Sequence, residues 1–426
     1  MSAVMISWKA MTTSMPILPY DVLSSVLDQA FQNGDSTSIK RCRLSNKALV
    51  HIGRKHVFHT MSLRQPAAGD VTFAPHPMER FLAFVIETPE VADYIRVLEV
   101  LSAERYNEPS PFELLRLVKN LQSFSITFGH EEYQRFRSWD TIVPDICASI
   151  EVLLRSNPLI SFTMTRITDV PVANIFQCVP LLQDLSLEHV SPSRTEMVAD
   201  SNWLSVPPIR QLRSLHLRKG ELEFSKYIIG GGDIQLFDIS KLAELEVEID
   251  YAETAEFQKR MTNMFAIPRK LESLELSAIV YGGDLLPWTS CTSILGSALP
   301  ASSRTLKEIS ITIETRAVNN ANPYVGLCSE LARIQGSNVL EEISLTVLHG
   351  YDASSTDDAA MWHELYDVLS SGFPSLQRLH LEFVVSTEEE EIQVKENAVP
   401  SVSPNRRNGT EINLFEDPGT FGMHES

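Results

Sequence analysis

Polar and apolar positions along the chain follow one short rule, apolar-x-x-apolar-x-apolar, from residue 95 onward. It appears as "IRVLEV" (95–100), "LQSFSI" (121–126), "LISFTM" (159–164), "LQDLSL" (182–187) and "LRSLHL" (212–217). It returns as "LAELEV" (242–247), "LESLEL" (271–276), "LKEISI" (306–311), "LEEISL" (340–345) and "LQRLHL" (376–381). The last two apolar residues of each copy flank a polar one, which is the period of a strand with one buried face. A single such strand cannot hide its apolar face, whereas stacked parallel copies share a continuous core. Parallel neighbours need crossovers of a dozen residues or more, usually helical.

The gaps between copies supply these crossovers. "DTIVPDICASIEVLLRSNP" (140–158) sets Ile142, Ile146, Ile150, Leu153 and Leu154 on one helical face and stops at Asn-Pro. "DDAAMWHELYDVLSSGFP" (357–374) does the same with Met361, Leu365, Val368 and Leu369 before Gly and Pro. The unit is therefore helix then strand. The expected fold class is α/β, and residues 81–385 resemble a leucine-rich-repeat solenoid with parallel strands in a horseshoe-type arrangement. A non-repetitive α/β domain is the competing reading, and it would need a very large conventional sheet.

The N-terminal stretch has a different pattern. In "LPYDVLSSVLDQAF" (18–31), Val22, Val26 and Ala30 recur every four residues, and so do Leu23, Leu27 and Phe31. Pro19 suits a first helical turn, and Asn33-Gly34 suits a stop. Two further short helices follow, with Ser36 or Ser38 and then Ser45 or Asn46 as caps. Three short helices make a small core that can take one apolar row of the first helix and leaves the other spare.

Leu18-Pro19-Tyr20-Asp21-Val22-Leu23 is similar to the opening of an F-box, "CRLSNKAL" (42–49) to its centre and "RKHVFHTMSL" (54–63) to its close in fungal F-box proteins. Leu49 stands where that centre usually carries tryptophan. The resemblance implies a three-helix F-box at 16–64 ahead of the repeats. It also implies a substrate-recognition subunit of an SCF-type ubiquitin ligase, partnered by a Skp-family adaptor and a cullin. The adaptor-binding residues would be Leu18, Pro19, Val22, Leu23, Val26, Leu27 and Leu49. Burial of each large side chain against the adaptor is worth about 1.5–3 kcal/mol. The alternative is a leucine-rich-repeat scaffold without a ligase role, its N-terminal helices forming a cap.

Composition narrows the partners. The net charge of −19 is uneven. Residues 1–64 carry eight Lys/Arg against three acids (+5), and residues 386–426 carry three against nine (−6), which leaves −18 between them. So acidic a body repels phosphates and anionic lipid, and neither nucleic acid nor a membrane is an expected partner. No apolar run reaches membrane-span length, and the N-terminus lacks the charged and apolar blocks of a signal peptide. Five widely separated cysteines without a CxxC pair fit free thiols in the cytoplasm or nucleus. Residues 1–15 and the acidic, Pro- and Ser-rich 386–426 are expected to be disordered, and 65–80 a linker.

No chemistry-bearing constellation emerges. GxxxxGK[ST], GxSxG and HExxH are all missing. Three glycines in "IIGGGDIQ" (228–235) lead into neither a lysine nor a helix start, and His56 and His59 have no cysteine or carboxylate cluster beside them. No enzyme activity, metal or cofactor is expected. The outward strand positions do carry charge: Arg213, His216 and Arg218, then Glu244, Glu246 and Glu248, then Glu275. Of these, Arg213, His216, Arg218, Glu246, Glu248 and Glu275 are the candidate target-binding residues, a strip for a protein with a basic segment. The plainer alternative is a set of solvated charges that keep the strand face soluble.

Overall fold

The structure, a computed structural model, describes residues 25, 26, 29, 31, 53–64, 77–101, 112–128, 136–193, 210–218, 224, 227, 236–250, 262–280, 302–315, 327–336, 338–349 and 358–384. The N-terminal 1–15 and the acidic 386–426 lie outside these, and so does most of the F-box-like stretch.

Eleven strands follow one another across a single parallel sheet. They are β1 (Thr60–Arg64), β2 (Val97–Leu101), β3 (Ser123–Thr127), β5 (Ser161–Val170), β6 (Asp184–Pro192) and β8 (Ser214–Arg218), then β10 (Glu244–Asp250), β11 (Ser273–Val280), β12 (Glu308–Thr315), β13 (Glu342–His349) and β14 (Arg378–Val384). β4 (Arg137–Ser138) pairs beside β5 as a twelfth strand, and β7 (Arg210–Gln211) with β9 (Phe237–Asp238) forms a separate ladder. Among the described residues, helices in the crossovers include α1 (Pro77–Glu87), α2 (Glu113–Leu117), α3 (Pro144–Ser156), α4 (Val172–Gln177), α5 (Leu327–Arg333) and α6 (Asp358–Gly372), with a further helical stretch at 262–266. This is the expected α/β, parallel, solenoid-like architecture, one strand per repeat.

All ten motif copies become strands in register. The two alternating apolar positions line up in rows, as in Phe124, Phe162, Leu185 and Leu215, and those side chains are sealed in the core. The first apolar residue is also buried in nine copies, Ile95 to Leu340, and half-buried in the last, Leu376. The residue after this first position contributes a carbonyl that accepts two successive N–H groups of the next repeat at 2.7–3.1 Å. Gln122 does so for Ile160 and Ser161, and Arg213 does so for Ala243 and Glu244. The motif thus sets the turn into the strand as well as the strand itself.

An eleventh copy was hidden in the N-terminal segment. Phe58-x-x-Met61-x-Leu63 obeys the same rule, and Thr60–Arg64 is the first strand of the sheet, paired along its length with β2. The expected boundary at residue 64 therefore falls too late, because the last five residues of the F-box-like stretch already belong to the repeats. The expected linker also ends early: α1 starts at Pro77, a residue suited to the first turn because it has no N–H to satisfy. The helix expected from residue 140 starts instead at Pro144, after a short 3-10 turn at Trp139–Thr141.

Two asparagines, each two residues before a strand-entry leucine, tie the end of their own helix to a neighbouring repeat, Asn157 to the preceding one and Asn338 to the following one. Asn157 Nδ2 donates to the Val118 and Leu153 carbonyls (2.9 and 2.8 Å), and its Oδ1 accepts from Leu121 N–H at 2.8 Å. Asn338 repeats the arrangement with the Ile334 and Gly372 carbonyls and Leu340 N–H. Gly336, at φ +91°, turns the chain between α5 and Asn338 and donates its N–H to the Gly372 carbonyl. Cys147, Cys178 and Cys328 are free thiols, and burial pushes those of Cys147 and Cys328 up to about 11.

Replacing Asn157 by Ala strands several buried backbone groups at about 1–3 kcal/mol each. The expected loss is roughly 2–4 kcal/mol overall, read as a lower thermal midpoint by circular dichroism. An unchanged midpoint would show that the Asn157 bonds do not hold α3 against β3.

Candidate functional site

The face of the sheet away from the core is lined by the polar residues of the motif copies, brought into straight rows by register. One row runs Ser125, Thr163, Ser186, His216, Glu246, Glu275, Ser310, Ser344 and His380. Glu99 on β2 and His380 on β14 bracket it; between them short hydroxyl side chains flank the charged group on β8, β10 and β11.

At the centre sits Glu246, a carboxylate only 6% exposed. Charged residues are seldom so buried unless paired. Here His216 Nδ1 bonds Glu246 Oε2 at 2.6 Å, and Arg218 Nε donates to Oε1. Burial pushes the Glu246 carboxyl up, but the hydrogen bonds from His216 and Arg218 outweigh it and hold the group below the ordinary glutamate range. Arg218 is raised in turn, mainly by its bond to Glu246. Across the next strand Glu275 moves the other way: burial and then the charge of Glu246 raise it. Asp184 on β6 is also raised by burial, against the opposing charge of Arg213.

The candidate strip is thus partly brought together. His216, Arg218 and Glu246 form one bonded cluster, and Glu275 is the register neighbour of Glu246. Arg213 precedes β8 and is exposed, while Glu248 lies one row further on, opposite Ser277. The glutamates are less uniformly repulsive than their spacing implies. Glu272 pairs with Lys307 at 3.0 Å, and Glu342 pairs with Arg378 at 2.5 Å and His380 at 3.4 Å. Reading the motif copies in register, so that Glu246 falls opposite His216, would have exposed the central pair. Nothing in the repeat marks Ser214 as its third member.

Ser214 Oγ lies 2.6 Å from His216 Nε2, giving a serine–histidine–carboxylate chain with the atom order of an acyl-transfer triad. Such a site also needs N–H donors for an oxyanion. β8 is paired on both sides, to β6 and β10, and the Ser214 N–H itself goes to the Gln183 carbonyl at 3.1 Å. What the bonded chain does is fix the orientation of His216 on the open face. Among the described residues no three His, Cys, Asp or Glu side chains are placed to hold a metal, and no helix is long and apolar enough to cross a membrane.

Of the adaptor-binding candidates, Leu18, Pro19, Val22, Leu23, Leu27 and Leu49 lie outside the described residues. Val26 is described: it is helical and 58% exposed. Phe31, in the other row of that helix, sets its ring at a tilt against those of His56 (4.9 Å between ring centres) and His59 (5.1 Å). No family model and no curated protein matches the chain.

Two substitutions at the centre carry opposite signs. The depressed Glu246 carboxyl lends stability above its unfolded value, and that stability is lost as pH falls through its folded value. Glu246→Gln should therefore lower neutral-pH stability by about 1–2 kcal/mol, a figure kept small because His216 and Arg218 reach water. It should also flatten the acid limb of the stability curve. The raised Glu275 lends stability only at low pH and loses it as pH climbs through its folded value, so Glu275→Gln should gain about 0.5 kcal/mol at neutral pH. Thermal midpoints measured from pH 3 to 8 would decide both, and shifts of the same sign would refute the assignment.

Proposed function

We propose that the chain is the target-recruiting subunit of an SCF-type ubiquitin ligase. Its N-terminal helices would form an F-box that docks a Skp-family adaptor and through it the cullin. Its parallel repeats would form a leucine-rich-repeat-like solenoid that holds the target protein, and the complex would work in the cytoplasm or nucleus without catalytic chemistry of its own.

The observation that carries this reading is the division of the first helix. Phe31 turns inward onto His56 and His59, while Val26 stands 58% exposed. A helix with Phe31 set against two rings and Val26 of the other row in water gains from burial of that exposed side chain against a second protein. The open face adds support: short hydroxyls around a fixed His216–Glu246–Arg218 cluster offer a broad, pre-set surface, and rigid polar groups contribute specificity on binding.

One observation favours the scaffold alternative. The helical turn at 53–57 runs directly into β1, and Phe58 packs against Phe81 and Phe84 of α1, so the N-terminal segment touches the first repeat as a cap would. The two readings part at the adaptor. The full chain should co-purify with a Skp-family adaptor, and Leu18→Asp with Leu23→Asp should abolish recovery. Val26→Asp, at an exposed site, should change stability by less than about 0.5 kcal/mol and still cut adaptor recovery. Failure of the wild-type chain to recover any adaptor would leave the scaffold reading. His216→Ala with Arg218→Glu should release the target protein and retain the adaptor.

A further inference from the structure

β5 and β6 are the longest strands, ten and nine residues, and both are distorted towards their C-terminal ends. Arg166 has φ +63° and His189 φ +52°, left-handed conformations that residues with a Cβ adopt at a cost. The two fall at matching places, because Thr165 pairs with Glu188 and Ile167 with Val190 on either side of them. In β6 Glu188 and His189 are half-buried in succession, and in β5 the buried Thr165 is followed by the half-buried Arg166, before Val190 and Ile167 return to the core. β4 joins the same corner: Arg137 pairs with Ile167, which brings Phe136 alongside Arg166. The Phe136 ring lies 5.0 Å from that of His189 across this position and is itself 50% exposed.

Arg166 is the unexplained member. Its Nη1 is shut away from solvent without an acceptor, and the residue makes no ion pair with any described residue. An orphaned guanidinium donor, on a strained residue where three strands meet, calls for an acceptor that no described residue supplies. We propose that this corner binds a carboxylate side chain of a protein partner, with the guanidinium as its fork and Phe136 as an apolar plate for the adjoining part of the ligand. A carboxylate presents two oxygens that match the guanidinium edge. A phosphate dianion fits less well, since Glu188 stands next to His189, opposite Thr165, and repels a second negative charge. His189 and Arg137 are the remaining charged or titratable neighbours, and the guanidinium charge of Arg137 suits the same ligand. The corner adjoins the central cluster, because Glu188 is also the register partner of Arg218. The choice of a protein ligand rests on the reading of the open face as a recruiting surface.

The test uses the full chain and phenylacetate as probe, with phenylacetamide and phenyl phosphate as comparison arms. Saturating phenylacetate should raise Tm by about 2–4 °C, the amide should leave it unchanged, and phenyl phosphate should act more weakly than phenylacetate. Arg166→Asn suits the left-handed backbone and removes the orphaned donor. It should fold with a Tm at or above that of the wild-type chain and lose the response to phenylacetate. A response that survives in Arg166→Asn, an equal response to the amide, a stronger one to phenyl phosphate, or none in the wild-type chain would each overturn the site. The outcome is independent of adaptor recovery, so a negative adaptor experiment and a negative titration refute different statements.

Discussion

A strand with one apolar face has nowhere to put it unless another strand lies beside it in register. Each repeat of this chain solves the problem with one carbonyl, just after its entry leucine, that accepts two N–H groups from the next repeat. That fork fixes the register, and the register aligns the leucine rows. Slipping by a single residue would turn every apolar side chain into water. The helices, the asparagine closures and the open polar face all follow from keeping that alignment across eleven strands.

The same register builds the candidate site. Residues on neighbouring strands lie about 4.8 Å apart, so polar positions that are some thirty residues apart in the chain become hydrogen-bonding neighbours. His216 and Glu246 meet only because two motif copies lie side by side. The cluster is therefore as rigid as the sheet beneath it, and its charge is balanced locally: Glu246 is held by two basic groups while Glu275 is left under its influence. A surface of this kind recognises by fixed geometry, which suits recruitment of a partner.

The corner around Arg166 departs from that regularity. Along the first part of β5 and β6 the alternation is kept; at Arg166 and His189 both strands accept left-handed backbone, and β5 does so again at Asp169, where its register with β6 shifts. Strain that two neighbours share at matching positions is a feature of the sheet and not an isolated defect. It extends the open face beyond the length of the flanking strands.

The repeating apolar positions alone determined that this chain would stack parallel strands with helical crossovers, because the two periods, two and 3.6 residues, are local properties of the backbone. They also contain the eleventh copy at Phe58, Met61 and Leu63, inside a stretch that resembles the close of an F-box. The charged strip was legible as a set of outward residues. Which of them bond to one another was not, since Ser214, His216 and Glu246 are joined across strands and no local pattern encodes that distance. The left-handed Arg166 and its orphaned nitrogen left no mark in composition or spacing at all. Tertiary structure decided these things because pairing, burial and backbone conformation at a given residue depend on neighbours that the chain reaches only after folding.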